Sequence, residues 1–303
     1  MMGDVLVALI PILCIAFYYY GVRAAILTGI SILSCIIFEY LYTRILRKPR
    51  TIGDLSAIVT GILIACNIPA TAPLWFPAVG AFFGIVIVKQ LFGGIGKNIF
   101  NPAVAAIVFL NVTWQGIMSL FPLPFASLPW PQTPQGFTTK QTALAALGQH
   151  LLPTSNLYEM LWGNRPGFIG TGAILVILVA GLYLLYRRII NWQVPFAFVG
   201  TVALLAYIFP RSPAGPVSSM LFEIMSGSLI FVAIFMATDP TTSPVTSIGR
   251  LLYGILCGLL TVFIRYNGIY PEGAFFALLL INPFAMSLDM LSWKLKKGGV
   301  VNG

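Results

Sequence analysis

VLVALIPILCIAFYYY, Val5 to Tyr20, is followed after three residues by AAILTGISILSCIIFEYLY, Ala24 to Tyr42. Together the two runs hold one acid, Glu39, and no base. A helix needs about 20 such residues to cross a bilayer. The same texture continues through all 303 residues: 58% are hydrophobic and 8% are charged. Mean hydropathy is +0.93. A soluble domain runs near about 45–50% apolar and about 25% charged. So few charges cannot cover a water-facing surface, so lipid is the solvent. A soluble enzyme, a disordered chain and a secreted disulfide scaffold are excluded. The apolar runs are continuous rather than alternating, which argues against a β-barrel. The expected fold is an all-α polytopic membrane protein.

Reading for runs and breakers gives about ten transmembrane helices: Val5–Tyr20, Ala24–Tyr42, Leu55–Pro69, Leu74–Val88, Pro102–Phe121, Phe168–Tyr186, Val194–Phe209, Val217–Ala237, Leu251–Ile264 and Ala274–Leu291. The first run has no basic segment before it and leads directly into a second, so it reads as a span rather than a cleavable signal peptide. Net charge is +9. The bases flank the spans and set orientation rather than bind nucleic acid. With both termini cytoplasmic, Arg44, Arg47, Lys48, Arg50, Lys89, Lys97, Arg187, Arg188, Arg250, Lys294, Lys296 and Lys297 fall inside. Arg23, Lys140, Arg165, Arg211 and Arg265 fall outside. Twelve against five supports a multi-pass protein of the plasma (inner) membrane, with the long loop 122–167 outside.

That loop divides a single membrane domain, 1–303, into a first five-helix unit, 1–121, and a second, 168–303. SAIVTGILIACNIP, Ser56 to Pro69, resembles GSLIFVAIFMATDP, Gly227 to Pro240. Each begins with small residues, runs apolar and ends in a polar residue closely followed by proline. A five-span unit repeated once must invert, and inverted repeats place binding sites near their axis. Chance likeness between two apolar helices is the alternative.

Three segments carry candidate chemistry. KQLFGGIGKNIFNPA, Lys89 to Ala103, is assigned inside. Its glycines allow positive φ and close backbone approach. Asn98 and Asn101 supply amide donors and acceptors, and Lys97 adds charge. The loop suits the polar edge of a planar heterocycle, or it is a tight turn with Asn101 capping the next helix. MATDPTTSPVTSIGR, Met236 to Arg250, is also inside and dense in hydroxyls. Its Asp239 and Thr242 suit a polar ligand, or they belong to an ordinary capped loop. The third segment is the outer loop itself, since long loops are uncommon without a task. Intramembrane acids often line ion paths; Glu39 and Glu223 either do so, or snorkel, or pair with a nearby arginine. Cys14, Cys35, Cys66 and Cys257 form no CxxC pair and read as buried small hydrophobes, and His150 alone makes no metal site.

GDLSAIVTG, FGGIGKNIFNPA and MATDPTTSP, in this order and spacing, resemble the RnfD/NqrB family over nearly the whole chain. The short N-terminus and Gln90 resemble the RnfD side of that family. The resemblance implies a membrane subunit of an ion-translocating complex that moves electrons between ferredoxin and NAD, coupled to Na+ or H+ transport. Its implied partners are the other membrane and peripheral subunits. It also implies FMN held covalently through a phosphoester to a threonine in the outer loop. The matching stretch is GFTTKQTALAAL, Gly136 to Leu147, which places Thr142 at the acceptor and Thr139 three residues before it. Gly136, Lys140 and Gln141 depart from the family's pattern of aspartate, glycine and alanine. That leaves covalent FMN, a non-covalent flavin, riboflavin or no outer flavin open. Lys97, Asn98, Asn101, Asp239 and Thr242 are expected to surround a cytoplasm-side site for a riboflavin-like ligand. A urea- or ammonium-channel-like pore without flavin is the competing class, and a structural subunit without cofactor is a third.

Overall fold

A computed structural model describes residues 1–47, 52–94, 96–126, 128 and 141–298. Its regular structure is helical. The helices are α1 (Met2–Ile45), α2 (Ser56–Cys66), α3 (Phe76–Gln90), α4 (Pro102–Thr113), α5 (Gln115–Met118), α6 (Ala143–Gly148), α7 (Leu157–Trp162), α8 (Ile174–Tyr186), α9 (Gln193–Ile208), α10 (Pro216–Met225), α11 (Leu229–Met236), α12 (Ser247–Asn267), α13 (Gly273–Ile281) and α14 (Ala285–Gly298). Large apolar side chains such as Ile10, Leu33, Leu182, Phe196 and Phe263 stand exposed along the helices. In a membrane chain these face lipid.

The opening pair of runs forms one 44-residue element, α1, interrupted at Gly21 with φ 64 and ψ −155. That positive φ suits a residue without Cβ. By length and composition, α1, α12 and the stretch Gly273–Lys294 can each cross a membrane. Five other apolar helices run only 10–17 residues. The third expected span is a half-length helix, α2, of 11 residues. The eighth is not continuous: α10 and α11 meet at a 60° bend.

That bend exposes backbone that lipid cannot satisfy, and charged side chains satisfy it instead. The Glu272 carboxylate accepts from Ser228 N–H at 3.1 Å and from the Ser228 hydroxyl at 3.2 Å. Arg265 donates to the carbonyls of Glu223 (2.8 Å) and Ser226 (3.4 Å). Arg165 donates to the carbonyl of Gly227 at 3.2 Å. Glu223 itself is closed by two bases. Arg211 donates to Oε1 through both Nε (2.9 Å) and Nη2, and Arg265 Nη1 reaches Oε2 at 2.9 Å. Arg23 likewise donates to the carbonyls of Ala70 and Ala72 after α2. Four of the five bases assigned outside are therefore buried backbone and carboxylate partners, not surface anchors.

Close packing follows from small residues. A Cβ on Gly254 would lie 2.7 Å from Ala197 Cβ, and one on Gly258 would lie 2.6 Å from Thr201 Cβ. Glycines one turn apart thus let α12 approach α9, as small-residue seams do in membranes. Two segments are wound more loosely than an α-helix. Leu91 N–H bonds to Val86 O, and Ala237 N–H bonds to Val232 O, each five residues back. They end α3 and α11.

Candidate functional site

The start of α2 (Ser56, Val59, Thr60) and the end of α11 (Ile234, Phe235) line one cavity. The two segments that resemble each other in sequence therefore meet at one cavity. The cavity is further lined by Lys89, by Asn98, Asn101 and Pro102, and by Thr238 to Thr241. Small-molecule sites have mostly apolar walls and a few polar groups. Val59, Leu63, Ile234 and Phe235 supply such walls here.

The glycine-rich loop feeds this site. Gly93, Gly94 and Gly96 have φ of 109, 90 and 81. They turn the chain so that Asn98 and Asn101 face the second motif. Asn101 Oδ1 accepts from the N–H groups of Ala103 (3.0 Å) and Val104 (3.3 Å), so it caps α4. Its amide nitrogen donates to Met236 O and to Asp239 Oδ2, both at 3.3 Å. Asn101 therefore caps α4, and its amide also ties the two motifs together. Asn98 donates to Phe100 O at 3.0 Å and to Thr241 Oγ1 at 3.4 Å. The Thr241 hydroxyl donates to Asp239 at 2.9 Å. Burial pushes the Asp239 carboxyl above its usual range, while the Thr241 hydroxyl and N–H pull it back.

Two expected members are displaced. Lys97 is exposed and does not line the cavity. Thr242 is buried, but the lining hydroxyl is its neighbour, Thr241. The cation of the site is Lys89, buried with its Nζ 2.9 Å from both Glu39 oxygens and 2.6 Å from Ser56 Oγ. Gln90 donates to the same carboxylate at 3.0 Å. Glu223 thus pairs with arginine, as one alternative expects, whereas Glu39 pairs with a lysine that the sequence places in a loop. Lys89 was hidden in sequence by its place at the end of an apolar run, where a base also marks a loop. Its one signal was an acid, Glu39, at the matching depth of another span.

Thr142 lies elsewhere. Its Oγ1 accepts from Ala145 N–H at 3.3 Å and caps α6. It lines two small adjoining cavities, which share Phe121, Leu144, Phe168 and Glu272. The smaller also contains Arg165 and Thr171. Asn111 lines the larger one, ten residues along α4 from Asn101. At 1.5 Å per residue the two ends are about 15 Å apart along that helix. Thr139 lies outside the described residues, with Gly136 and Lys140. Among the described residues no group of three His, Cys, Asp or Glu could hold a metal ion.

The family model described as NQR2, RnfD, RnfE matches residues 1–296. The chain is 39% identical to the D subunit of a Na(+)-translocating ferredoxin:NAD(+) oxidoreductase complex from Acetobacterium woodii, over 93% of this chain and 85% of that one. It is 34% identical to the D subunit of a proton-translocating ferredoxin:NAD(+) oxidoreductase complex from Clostridium ljungdahlii, over 98% and 91%. It is 32% identical to the D subunit of an ion-translocating oxidoreductase complex from Halorhodospira halophila, over 95% and 88%.

Proposed function

The chain belongs to the NQR2, RnfD, RnfE family, and we propose that it is the D-type membrane subunit of an Rnf-type ion-translocating oxidoreductase, carrying electrons by flavin and coupling their transfer to Na+ or H+ transport. Its partners are the other subunits of that complex and the surrounding lipid. The Asn101 end faces the cytoplasm. Among the described residues, the exposed bases Arg44, Arg47, Lys97, Arg187, Arg188 and Lys294 all belong to segments that the charge pattern assigns to that side, which supports this orientation.

One observation carries the flavin reading: two motifs far apart in sequence are bonded together through Asn101 and Asp239 at the polar end of an apolar cavity. Apolar walls with one polar end suit the chemistry of a planar, amphipathic heterocycle such as riboflavin. Val59, Leu63 and Phe235 would sandwich its faces. The Asn98 amide, the Thr238 and Thr241 hydroxyls and Asp239 would meet its polar edge. Asp239 accepts from Asn101 and Thr241 and so fixes the donors and acceptors at that edge. A flavin supplies one- and two-electron transfer, which the protein tunes by hydrogen bonds and nearby charge. The buried Lys89–Glu39 pair is the charge closest to that task.

Asn101→Ala removes the α4 cap and the tie to Asp239 together. Hydrogen bonds to charged groups contribute about 1.5–3 kcal/mol, so non-covalent flavin per chain, extracted from the purified complex, is expected to fall at least about tenfold. Unchanged flavin content and unchanged coupled activity would sink the cytoplasm-side site. At the opposite end, FMN is held as a phosphoester on Thr142. The cap bond uses the Thr142 oxygen as an acceptor and leaves its O–H direction free, so the ester and the cap are compatible. Thr142→Val is expected to abolish flavin fluorescence of the denatured chain on a gel. A wild-type chain that is dark and unmodified at Thr142 would remove the covalent flavin from the reading.

A further inference from the structure

Arg165 sits between α7 and α8 and is 5% exposed. It lines the same small cavity as Thr142. Its Nη2 donates to Thr171 O at 3.0 Å and to Gly227 O at 3.2 Å. Among the described residues its Nε–H has no partner. Nor does Arg165 form an ion pair with any of them, whereas Arg211 and Arg265 both bond to Glu223. A buried guanidinium loses hydration on entering the protein and recovers that stabilisation only through charged or well-aligned acceptors. Two carbonyls do not complete that set. Burial pushes the Arg165 pKa down to about 10, with Glu272 opposing the shift, so the group stays charged at neutral pH.

Among the described residues, Glu272 is the one acid facing the cavity. Its Oε2 already accepts the Ser228 N–H and hydroxyl. Around the α10–α11 bend the buried charges described are Arg165, Arg211 and Arg265 against Glu223 and Glu272. Three cations meet two anions. A single negative charge beside Arg165 would balance the cluster and fill the open Nε–H.

We infer that Arg165 is the positioning residue for the phosphate of an organic phosphoester carried on Thr142. This rests on the reading of Thr142 above and names the group that receives the ester's charge. A phosphodiester carries one negative charge, the number the cluster lacks. Arg165 contacts only the finished ester, in which Thr142 Oγ1 is already bonded to phosphorus. An arginine fork matches phosphate oxygens better than a lysine point charge does. The ester would hold α6, the α7–α8 turn and the α10–α11 bend in register, since Thr142, Arg165 and Gly227 stand on those three elements.

The test uses the full-length chain in its native membrane complex, as wild type, Thr142→Val, Arg165→Gln and the double variant. Flavin on Thr142 is read by in-gel fluorescence and by the mass of the peptide containing it. Thermal midpoints are read on the same samples. Groups acting on one shared partner give non-additive effects, and independent ones add. The wild type is expected to be fluorescent, and the double variant to melt close to the worse single variant rather than at the sum of the two losses. Additive losses in a chain that carries flavin would overturn the role of Arg165 and leave the Thr142 reading standing. A dark wild type with an unmodified peptide would overturn both. If Arg165→Gln does not accumulate, Arg165→Lys gives the same cycle. Its loss is expected to shrink when Thr142 is valine, and an unchanged loss would overturn the role.

Discussion

Glu223→Ala is expected to destabilise the chain by about 3–5 kcal/mol, the usual penalty for removing one partner of a buried ion pair. Glu223 is fully buried, and both of its oxygens are taken by Arg211 and Arg265. Alanine leaves two guanidinium groups facing each other without a counter-charge. It also loosens the clamp on the α10–α11 bend, because Arg265 holds the carbonyls of Glu223 and Ser226 in the same grip. A large domain loses roughly 2–4 °C of midpoint per kcal/mol, so the detergent-solubilised chain should melt about 10 °C lower. Its level in the membrane should fall several-fold. Glu223→Gln keeps acceptor geometry for one arginine and should fall between the two. A midpoint for Glu223→Ala that matched wild type would mean that water or lipid headgroups replace the carboxylate, and the bend would not be a closed ionic cluster.

The second large effect is asymmetric. Lys89→Leu leaves Glu39 charged and deep in the helix bundle, with Gln90 still donating to it but no longer a cation 2.9 Å away. The loss should again be about 3–5 kcal/mol. Lys89→Leu combined with Glu39→Leu removes both charges. Replacing a buried pair by apolar groups is often neutral, so the double variant should recover most of the lost stability. Recovery will be incomplete, because Gln90 loses its acceptor and Ser56 loses its donor. A double variant no more stable than Lys89→Leu alone would show that the pair is not the source of the loss. Flavin content separates fold from site: the double variant should fold, yet its cytoplasm-side cavity lacks the charge that Lys89 supplies.

Much of this was readable from residue types. Glycines at 93, 94 and 96 announced left-handed backbone, and all three have it. Asn101 before Pro102 announced a helix cap, and the cap is there. The failures share a cause, because each needed a partner remote in sequence. Lys89 looked like a loop base because a charge at the end of an apolar run reads alike whether it snorkels or turns inward. Glu39, which turns it inward, is 50 residues away. Arg23, Arg165, Arg211 and Arg265 were read as orientation signals for the same reason. The break in the eighth span was invisible because Ser226, Gly227 and Ser228 are all tolerated in a membrane helix. Glu272, 44 residues on, is what makes the break tolerable. Thr241 and Thr242 are adjacent in a turn, where no periodicity says which one faces inward.

The loosely wound ends of α3 and α11 set the direction in which the side chains beyond them point. A turn that bonds five residues back holds one residue more than an α-turn. Removing one residue between Phe83 and Val88 would restore ordinary winding and rotate the remainder of α3 by about 100°. Lys89 would then swing away from Glu39 and out of the cavity wall. The positive charge at that wall therefore depends on the length of a turn as much as on the residue that ends it.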